Sequence, residues 1–295
     1  MSVLQSFIDA VALGTLYALV AVGLALVFGV LRLVNFAHSE LITIGAYVLA
    51  LTADWPKPVS VALCLLASIA LALGTERIAF RPLRSAAPAT MLVTTFAVSF
   101  ALQAVWLTLW GPEGKSADVL GGLNGTAVRG DVVVRWVTLV ELACGGLLLG
   151  GLVLLLTRTG IGLQMRAAAT DPRAARLLGV RADRVIAMAF ALAGLSAGIV
   201  ALLLTVQQPL VTPTFGLQIT ILALVGVVVG GMDRLVSATI GGFSVGLATS
   251  VLGDLLPSAD RVFLPSFVFL LVVIVLLLRP AGLFAPLGTT TAERV

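Results

Sequence analysis

Charged residues are scarce in this chain of 295 residues, of which 18 are Lys or Arg and 14 are Asp or Glu. They make up 11% of the chain, whereas a soluble domain carries about 25%, and 60% of the residues are apolar even without glycine. A water-facing surface cannot be built from so few charges, which excludes a soluble globular protein. Disordered chains are poor in apolar residues, so the same composition excludes disorder.

Histidine and cysteine are nearly absent, with one His and two Cys. A single histidine cannot form a multi-histidine metal site or a pair of haem ligands, so we expect no metal and no cofactor on this chain. No Ser-His-Asp, Cys-His or paired-carboxylate arrangement occurs at helical spacing, which argues against an enzyme. The tripeptide Gly114-Lys115-Ser116 lacks the first glycine of a phosphate-binding loop, because residue 109 is Leu. Any ATP is therefore expected on partner chains.

Long apolar runs fill most of the sequence. Backbone groups in hydrocarbon must be bonded within the protein, which leaves helical bundles and closed barrels, and runs such as 267–278 do not alternate as barrel strands do. We therefore predict an all-α polytopic transmembrane bundle that forms a single domain over residues 1–295. Spans of about 20 apolar residues are expected near 11–31, 59–76, 89–110, 138–157, 185–206, 217–232, 235–253 and 262–278. The shorter stretch 38–53 is either a further span or a broken helix, so eight or nine spans are expected.

Positive charge is concentrated between residues 158 and 184, where six Arg and two Asp account for the whole net charge of +4. Cytoplasmic loops of membrane proteins carry such an excess, which predicts that 158–184 is cytoplasmic. This orientation places the arginine-containing segment 77–84 inside and the neutral loop 111–137 outside. The C-terminus is then cytoplasmic, and the N-terminus is outside if there are nine spans. Because the arginines set topology, no nucleic acid partner is expected.

Polar residues between the first two apolar segments are candidates for a translocation path, because ionisable groups in a membrane usually face water or a partner. Asn35, His38 and Glu40 are clustered there. One interpretation is a helix break that lines the path, and the other is a cytoplasmic turn with Asn35 as a helix cap. The sequence leaves both open.

Two polar rows have the i, i+4, i+8 spacing of one helix face, and they complete the predicted path: Ser39, Thr43 and Tyr47, and Thr95, Ser99 and Gln103. Serine and threonine hydroxyls can bond to their own helix, which is the simpler explanation for four of these residues. The amide of Gln103 needs a partner or water, so it predicts a path or an interhelical contact. Glu141 is expected near the outer end of its span, within reach of water.

A short helix is predicted inside the arginine-rich segment. Asp171-Pro172 is a typical helix start, and Gly179 is a typical stop. A loop that only sets topology needs the arginines but not a capped helix with an apolar face, so we favour a site for docking a partner protein. The residues expected to couple to that partner are Asp171, Arg173, Arg176, Leu177, Leu178 and Gly179.

Glycines four residues apart occur in consecutive helices and let helix backbones approach closely. They predict a tightly packed bundle and are compatible with a subunit interface. The pairs are Gly146 and Gly150, Gly194 and Gly198, Gly226 and Gly230, and Gly242 and Gly246.

Several of these motifs resemble those of one family. The chain is similar to the LivH-type permease subunits of bacterial branched-chain amino-acid ABC importers over nearly its whole length. The resemblance is carried by Gly14 to Leu19, Val34-Asn35-Phe36-Ala37-His38, Arg158-Thr159-Gly160, Ala174 to Val180, Val229-Gly230-Gly231 and Arg279 to Leu283. It implies a multi-pass protein of the bacterial inner membrane that works by alternating access. The implied partners are a second related permease, two cytoplasmic ATPases docking on 171–180, and a periplasmic binding protein.

The sequence departs from the family pattern at Ser39, at Leu222 and in the segment 230–238. Urea and short-amide importers share this permease type and remain an alternative within the class. A self-contained secondary transporter is an alternative from another class, but it needs acids at mid-membrane, whereas Glu40 and Glu141 are expected near span ends. An intramembrane enzyme is the least favoured hypothesis.

Overall fold

The computed structural model describes residues 3–84, 86–128, 133–170, 175, 177–232, 234–257 and 259–279. Within this part of the chain, ten α-helices follow one another: α1 (Val3–Leu31), α2 (His38–Leu51), α3 (Lys57–Thr75), α4 (Pro88–Trp110), α5 (Trp136–Arg158), α6 (Gly160–Thr170), α7 (Ala182–Gln207), α8 (Leu217–Gly230), α9 (Leu235–Leu255) and α10 (Leu264–Leu278). A π-helical turn, Glu76–Phe80, and a 3-10 turn, Arg81–Leu83, continue α3.

Four short strands connect the loops at one end of the bundle. β1 (Lys115–Ser116) pairs antiparallel with β4 (Leu210–Val211), and β2 (Thr126–Val128) pairs antiparallel with β3 (Val134–Arg135). The first pair holds the segment after α4 beside the segment after α7. The strands therefore only join loops to one another. The protein is an all-α polytopic membrane protein.

Seven helical stretches of the described chain are long and apolar enough to cross a membrane, and α2 and α8 are shorter apolar helices. With 14 residues each, α2 and α8 are about 21 Å long at 1.5 Å per residue, less than the roughly 30 Å of a hydrocarbon core. The broken-helix interpretation of 38–53 therefore fits the structure. The stretch near 217–232, predicted as a full span, forms the short α8 instead.

Helix α1 lies at the centre of the bundle and contacts α5, α7, α8 and α9. Small residues make this arrangement dense. A β-carbon added at Gly194 of α7 would lie 2.8 Å from Cα of Ile69 in α3, and one at Gly226 of α8 would lie 2.6 Å from Cα of Gly242 in α9. The close approach predicted for these glycines is thus present.

The predicted close contact is absent at the α5 pair, Gly146 and Gly150, within the part of the chain that the structure describes. Among the described residues, no atom outside α5 comes within 4 Å of a β-carbon added at Gly146 or Gly150. The contact with α1 is made by the neighbouring Gly145, which faces Thr15. Successive residues point about 100° apart on a helix with 3.6 residues per turn. The predicted pair therefore lies on the outer side of α5, away from the chain's own core.

Candidate translocation site

The helical structure is interrupted between α1 and α2, over residues 32–37. Arg32 has a φ of 54°, an uncommon left-handed conformation for a residue other than glycine. The side-chain oxygen of the buried Asn35 accepts a 3.1 Å hydrogen bond from the amide of Ala37. Asn35 therefore orders the turn, but the residue at the N-cap of α2 is Ala37. The break combines features of both interpretations, because Asn35 orders the turn and Leu33, Asn35 and Ala37 are buried, whereas Arg32 is exposed.

The carboxylate of Glu40 binds α4 to α2. Its Oε1 atom accepts hydrogen bonds of 3.0 Å from the hydroxyl of Ser99 and 2.9 Å from the amide of Gln103. Its Oε2 atom accepts a 3.0 Å hydrogen bond from the indole of Trp106. The hydroxyl of Ser39 also lies 3.0 Å from Oε1. We call these five residues the Glu40 cluster, and in it the amide of Gln103 has the interhelical partner that its position in an apolar helix requires.

Glu40 lies deeper than its position at the start of a helix indicated. Its side chain has no exposed surface, and its partner Ser99 is near the midpoint of α4. The expectation that Glu40 lies near the end of a span is therefore wrong. The physical reason is that the short α2 begins inside the bundle, so its first turn is level with the middle of the longer helices.

The residues of the two polar rows make hydrogen bonds within their own helices and contacts with neighbouring helices. Thr43 donates to the carbonyl of Ser39 in its own helix at 3.0 Å, and its oxygen accepts a 3.1 Å hydrogen bond from the amide of Gly216. Tyr47 stacks on Trp110 of α4, with ring centroids 4.1 Å apart. Thr95 donates to the carbonyl of Leu92 at 2.8 Å, which is the simple own-helix bond. All of the path candidates on α2 are buried in this conformation.

The starts of the two short helices meet at Gly216. A β-carbon on Gly216 would collide with the carbonyl oxygen of Ser39 and would lie 3.0 Å from Cβ of Ile42. Only glycine permits this approach of the α8 N-terminus to the first turns of α2. Broken helices whose ends meet inside a bundle are a common way to build a binding site in transporters.

His38 is enclosed between α1 and α7. A β-carbon on Gly23 would lie 2.5 Å from both Cε1 of His38 and the hydroxyl oxygen of Ser196, so the imidazole occupies space that the glycine leaves. The ring has no exposed surface. Neither of its nitrogens has a hydrogen-bond partner among the described residues. In this conformation His38 packs the helices at the break rather than facing an open path.

A cavity of about 660 Å³ opens beside the start of α8. Its volume is within the range of about 300–1,000 Å³ that is typical of small-molecule sites. A second cavity of about 120 Å³ borders α1. The two cavities share the lining residues Gln208, Phe215 and Gln218. Apolar side chains and uncharged polar groups line the larger one: Gln208, Pro209, Leu210, Thr212, Thr214, Phe215, Leu217, Gln218, Ile221, Leu222, Pro265 and Phe269. Leu222, one of the positions that departs from the family pattern, lies in this lining.

Glu141 was predicted to reach water, but it does not. It is 1% exposed, and its carboxylate accepts a hydrogen bond from the amide of Gln207 at the end of α7. The expectation was wrong because the sequence gives no indication that Gln207 covers the outer part of α5. Gln207, Gln208 and Gln218 were all missed as site residues. Gln103 was identified because its amide lies within an apolar span, whereas these three lie at or beyond the ends of α7 and α8, where a glutamine is ordinary.

The arginine-rich segment 158–184 is only partly described. Asp171, Arg173 and Arg176 lie outside the described residues. Leu177 and Leu178 are 90% and 83% exposed. Gly179 has a φ of +83°, and the amide of Val180 donates to the carbonyl of Ala175 at 3.0 Å, which is the bonding of a helix end. The prediction of a stop at Gly179 is confirmed, whereas the helix α6 earlier in the segment was not predicted.

Comparison with known proteins agrees with this architecture. The profile of the family described as "Branched-chain amino acid transport system / permease component" matches residues 6–278. The high-affinity branched-chain amino acid transport system permease protein BraD of Pseudomonas aeruginosa is 30% identical over 99% of this chain and 98% of its own length. LivH of Escherichia coli K12 is 30% identical over 99% and 97%, and a probable LivH of Methanocaldococcus jannaschii is 28% identical over 96% and 91%. With its core, its loops and nearly all of its length covered by these matches, the chain belongs to the family of permease components of branched-chain amino acid transport systems.

Proposed function

We propose that this chain is a membrane-spanning subunit of an ATP-driven importer that moves branched-chain or other apolar amino acids by alternating access. The observation that carries the proposal is the family match over residues 6–278, joined to relatives that cover nearly the whole chain. The relatives are named for branched-chain amino acid transport. The chain itself is a transport component, with ATP hydrolysed on partner subunits and no resident cofactor.

The path is proposed to pass the large cavity beside α8. Its apolar wall suits a hydrocarbon side chain, and the amides and hydroxyls of Gln208, Gln218 and Thr214 suit the polar end of an amino acid. Among the described residues that line this cavity, none is charged.

Gly216 lies between the lining residues Phe215 and Leu217, and its contact with Thr43 joins the start of α8 to α2. The Glu40 cluster in turn joins α2 to α4. In this conformation the predicted path residues therefore stabilise the helices around the path. Movement of those helices would expose the same residues to the path.

Partner subunits are proposed at both ends of the bundle. Exposed Leu177 and Leu178 support docking of two cytoplasmic ATPases on 171–180. A periplasmic binding protein would approach the opposite end, where the loop 111–137 lies. The outward Gly146 and Gly150, with the exposed Leu147 between them, support contact with a second related permease.

The proposed orientation places the N-terminus outside and the C-terminus in the cytoplasm of a bacterial inner membrane. The amide of Val133 donates a 2.9 Å hydrogen bond to the side chain of Gln5, which supports a position of the α1 start beside loop 111–137. Arg81 of the other arginine-containing segment contacts Asp183 at 2.6 Å, which supports placing 76–84 and 158–184 on the same side. With α2 and α8 counted as crossings, this arrangement has nine.

The test is uptake in cells that lack their own branched-chain amino acid importers. Cells that express this chain with its candidate ATPases, second permease and binding protein should take up radiolabelled leucine, and cells with an ATPase inactivated should not. Labelled urea and a short amide serve as competing substrates in parallel. Uptake of urea without leucine would overturn the substrate assignment, and leucine uptake that is independent of the ATPases would favour a secondary transporter.

A further inference from the structure

Three charged contacts lie at the end of the α3 extension, and two of them join it to the start of α7. Arg81 donates to Asp183 at 2.6 Å, and Arg84 donates to the other carboxylate oxygen of Asp183. Arg84 also donates to the carboxylate of Glu76 in the π-helical turn that follows α3. Asp183 lies in the first turn of α7. Two sequence-distant elements are therefore linked at the arginine-rich end.

Arg84 is the only one of these four residues that bridges two carboxylates with separate atoms. Its Nη1 atom contacts Asp183 and its Nη2 atom contacts Glu76. The side chains of Arg84 and Glu76 are 17% and 7% exposed, whereas those of Arg81 and Asp183 are 45% and 58% exposed. Exposed ion pairs contribute little because water screens them, and sheltered, forked arginine contacts contribute more. Of the two arginines that reach Asp183, Arg84 is the sheltered one, and its second contact with Glu76 fixes it to the α3 extension. The link between α3 and α7 therefore depends mainly on Arg84, with Arg81 as a peripheral contact.

Helix α3 connects this link to the candidate translocation site. It packs closely on α7, where a β-carbon at Gly194 would lie 2.8 Å from the carbonyl oxygen of Ser68. The hydroxyl of the same Ser68 donates a 2.9 Å hydrogen bond to the carbonyl of Leu41 in α2, one residue after Glu40. A displacement of the start of α7 can thus be transmitted to α2 through α3, which contacts both helices at Ser68.

We propose that Arg84 transmits movement of the segment 158–184 to α3, and through Ser68 to the start of α2. Asp183 is the penultimate residue of that segment, so a push on the exposed Leu177 and Leu178 moves the carboxylate that Arg84 holds. Arg84 is a positioning residue for the transport cycle. This inference rests on the proposed function, because it requires ATPases that act on the segment.

The matched variants are Arg84→Lys and Arg81→Lys in the complete transporter, reconstituted with its ATPases and binding protein. An ammonium group cannot reproduce a two-armed contact, whereas it can replace the single contact of Arg81. We expect R84K to lower leucine uptake per ATP hydrolysed by about tenfold, within the usual range of coupling between two sites. ATP hydrolysis and the thermal midpoint of R84K should stay near those of the unchanged protein, and R81K should match it in all three.

A wild-type ratio of uptake to hydrolysis in R84K would overturn the inference. So would a parallel loss of uptake, hydrolysis and thermal stability, because that is the signature of a purely structural ion pair. Absence of ATP-dependent uptake by the unchanged complex would refute the proposed function, which separates the two failures.

A second variant tests the link without relying on charge. In a protein whose Cys64 and Cys144 are replaced by Ala, the pair Arg84→Cys and Asp183→Cys is joined by a short dithiol-reactive cross-linker. We expect cross-linking to restore uptake per ATP above that of the same variant before treatment, because the link must stay closed while it transmits movement. A further loss on cross-linking would show that the contact opens during the cycle and would overturn the proposal.

Discussion

The indole N–H of Trp106 donates to Oε2 of Glu40 across the interface of α4 and α2, at 3.0 Å. The other carboxylate oxygen already accepts from Ser99 and Gln103, so each oxygen of a buried acid has a donor from α4. Helix α4 has few other attachments to the bundle, chiefly the stacking of Phe36 on Phe96 and of Tyr47 on Trp110. A polar cluster therefore has a large share in holding an otherwise apolar outer helix.

Glu40→Gln should destabilise the protein although the two side chains have the same shape. An amide can present its oxygen to Ser99 and Gln103, but its NH₂ group then faces the Trp106 N–H and leaves that donor unpaired. An unsatisfied buried donor costs about 1–3 kcal/mol, which should lower the thermal midpoint of the purified chain in detergent. Trp106→Phe is the matched variant that removes the donor, and E40Q combined with W106F should be more stable than E40Q alone. Equal midpoints for E40Q and the unchanged protein would contradict this role of the cluster.

Gly216→Ala should prevent the close approach of α8 to α2. The added methyl would collide with the carbonyl of Ser39, and overpacking of this kind costs roughly 1–3 kcal/mol. Leucine uptake should fall with it, because the larger cavity opens beside the same turn. Gly151→Ala is the control, since nothing in the described chain is within 4 Å of its added methyl, and alanine favours a helix by about 0.5–1 kcal/mol over glycine. Similar effects of the two substitutions on the isolated chain would refute the contact.

Ile221→Trp should obstruct the large cavity. Ile221 lines it, so an indole there would occupy space proposed for the substrate, and leucine uptake should fall severalfold while the chain still folds. Ile240→Trp is the control, because Ile240 is 41% exposed on the outside of α9. Uptake and the thermal midpoint are measured for both. Unchanged uptake by a well-folded I221W would place the path elsewhere.

Leu177→Ser with Leu178→Ser should weaken binding of the ATPases. Both side chains are exposed and apolar, and truncating a residue that carries much of the binding energy of an interface costs about 2 kcal/mol or more. The measurement is co-purification of the ATPases with the tagged permease, followed by a binding titration. Val262→Ser is the control, because Val262 is similarly exposed in the turn before α10. Full retention of ATPases by the leucine double variant would remove this segment from the docking site.

The long membrane-spanning helices could be predicted from the sequence because hydrocarbon imposes a simple length rule on them. The short helices α6 and α8 escaped that rule. The tertiary partners of the helices could not be predicted. The row of Thr95, Ser99 and Gln103 identified the polar face of α4, but only the fold shows that the same face meets Glu40. Spacing within one helix gives a direction around that helix and contains no information about which distant residue lies there.

Glu141 and Glu40 illustrate the same limit for burial. Both were expected near the ends of their spans, and Glu141 was also expected to reach water. Glu141 is covered by Gln207 from another helix, and Glu40 is carried inward because α2 starts within the bundle. Since Glu40 lies deep in the bundle, its position no longer argues against a secondary transporter, and that decision rests on the family membership and on ATP dependence.

The most direct test of the central claim uses the purified complex in sealed vesicles. The permease, its partner permease, the ATPases and the binding protein are reconstituted, and the accumulation of radiolabelled leucine is followed with and without ATP on the ATPase side. We predict accumulation against a gradient that requires ATP, the binding protein and this chain together. Accumulation without ATP, or driven equally well by an ion gradient alone, would contradict the assignment of this chain as the permease subunit of an ATP-driven importer.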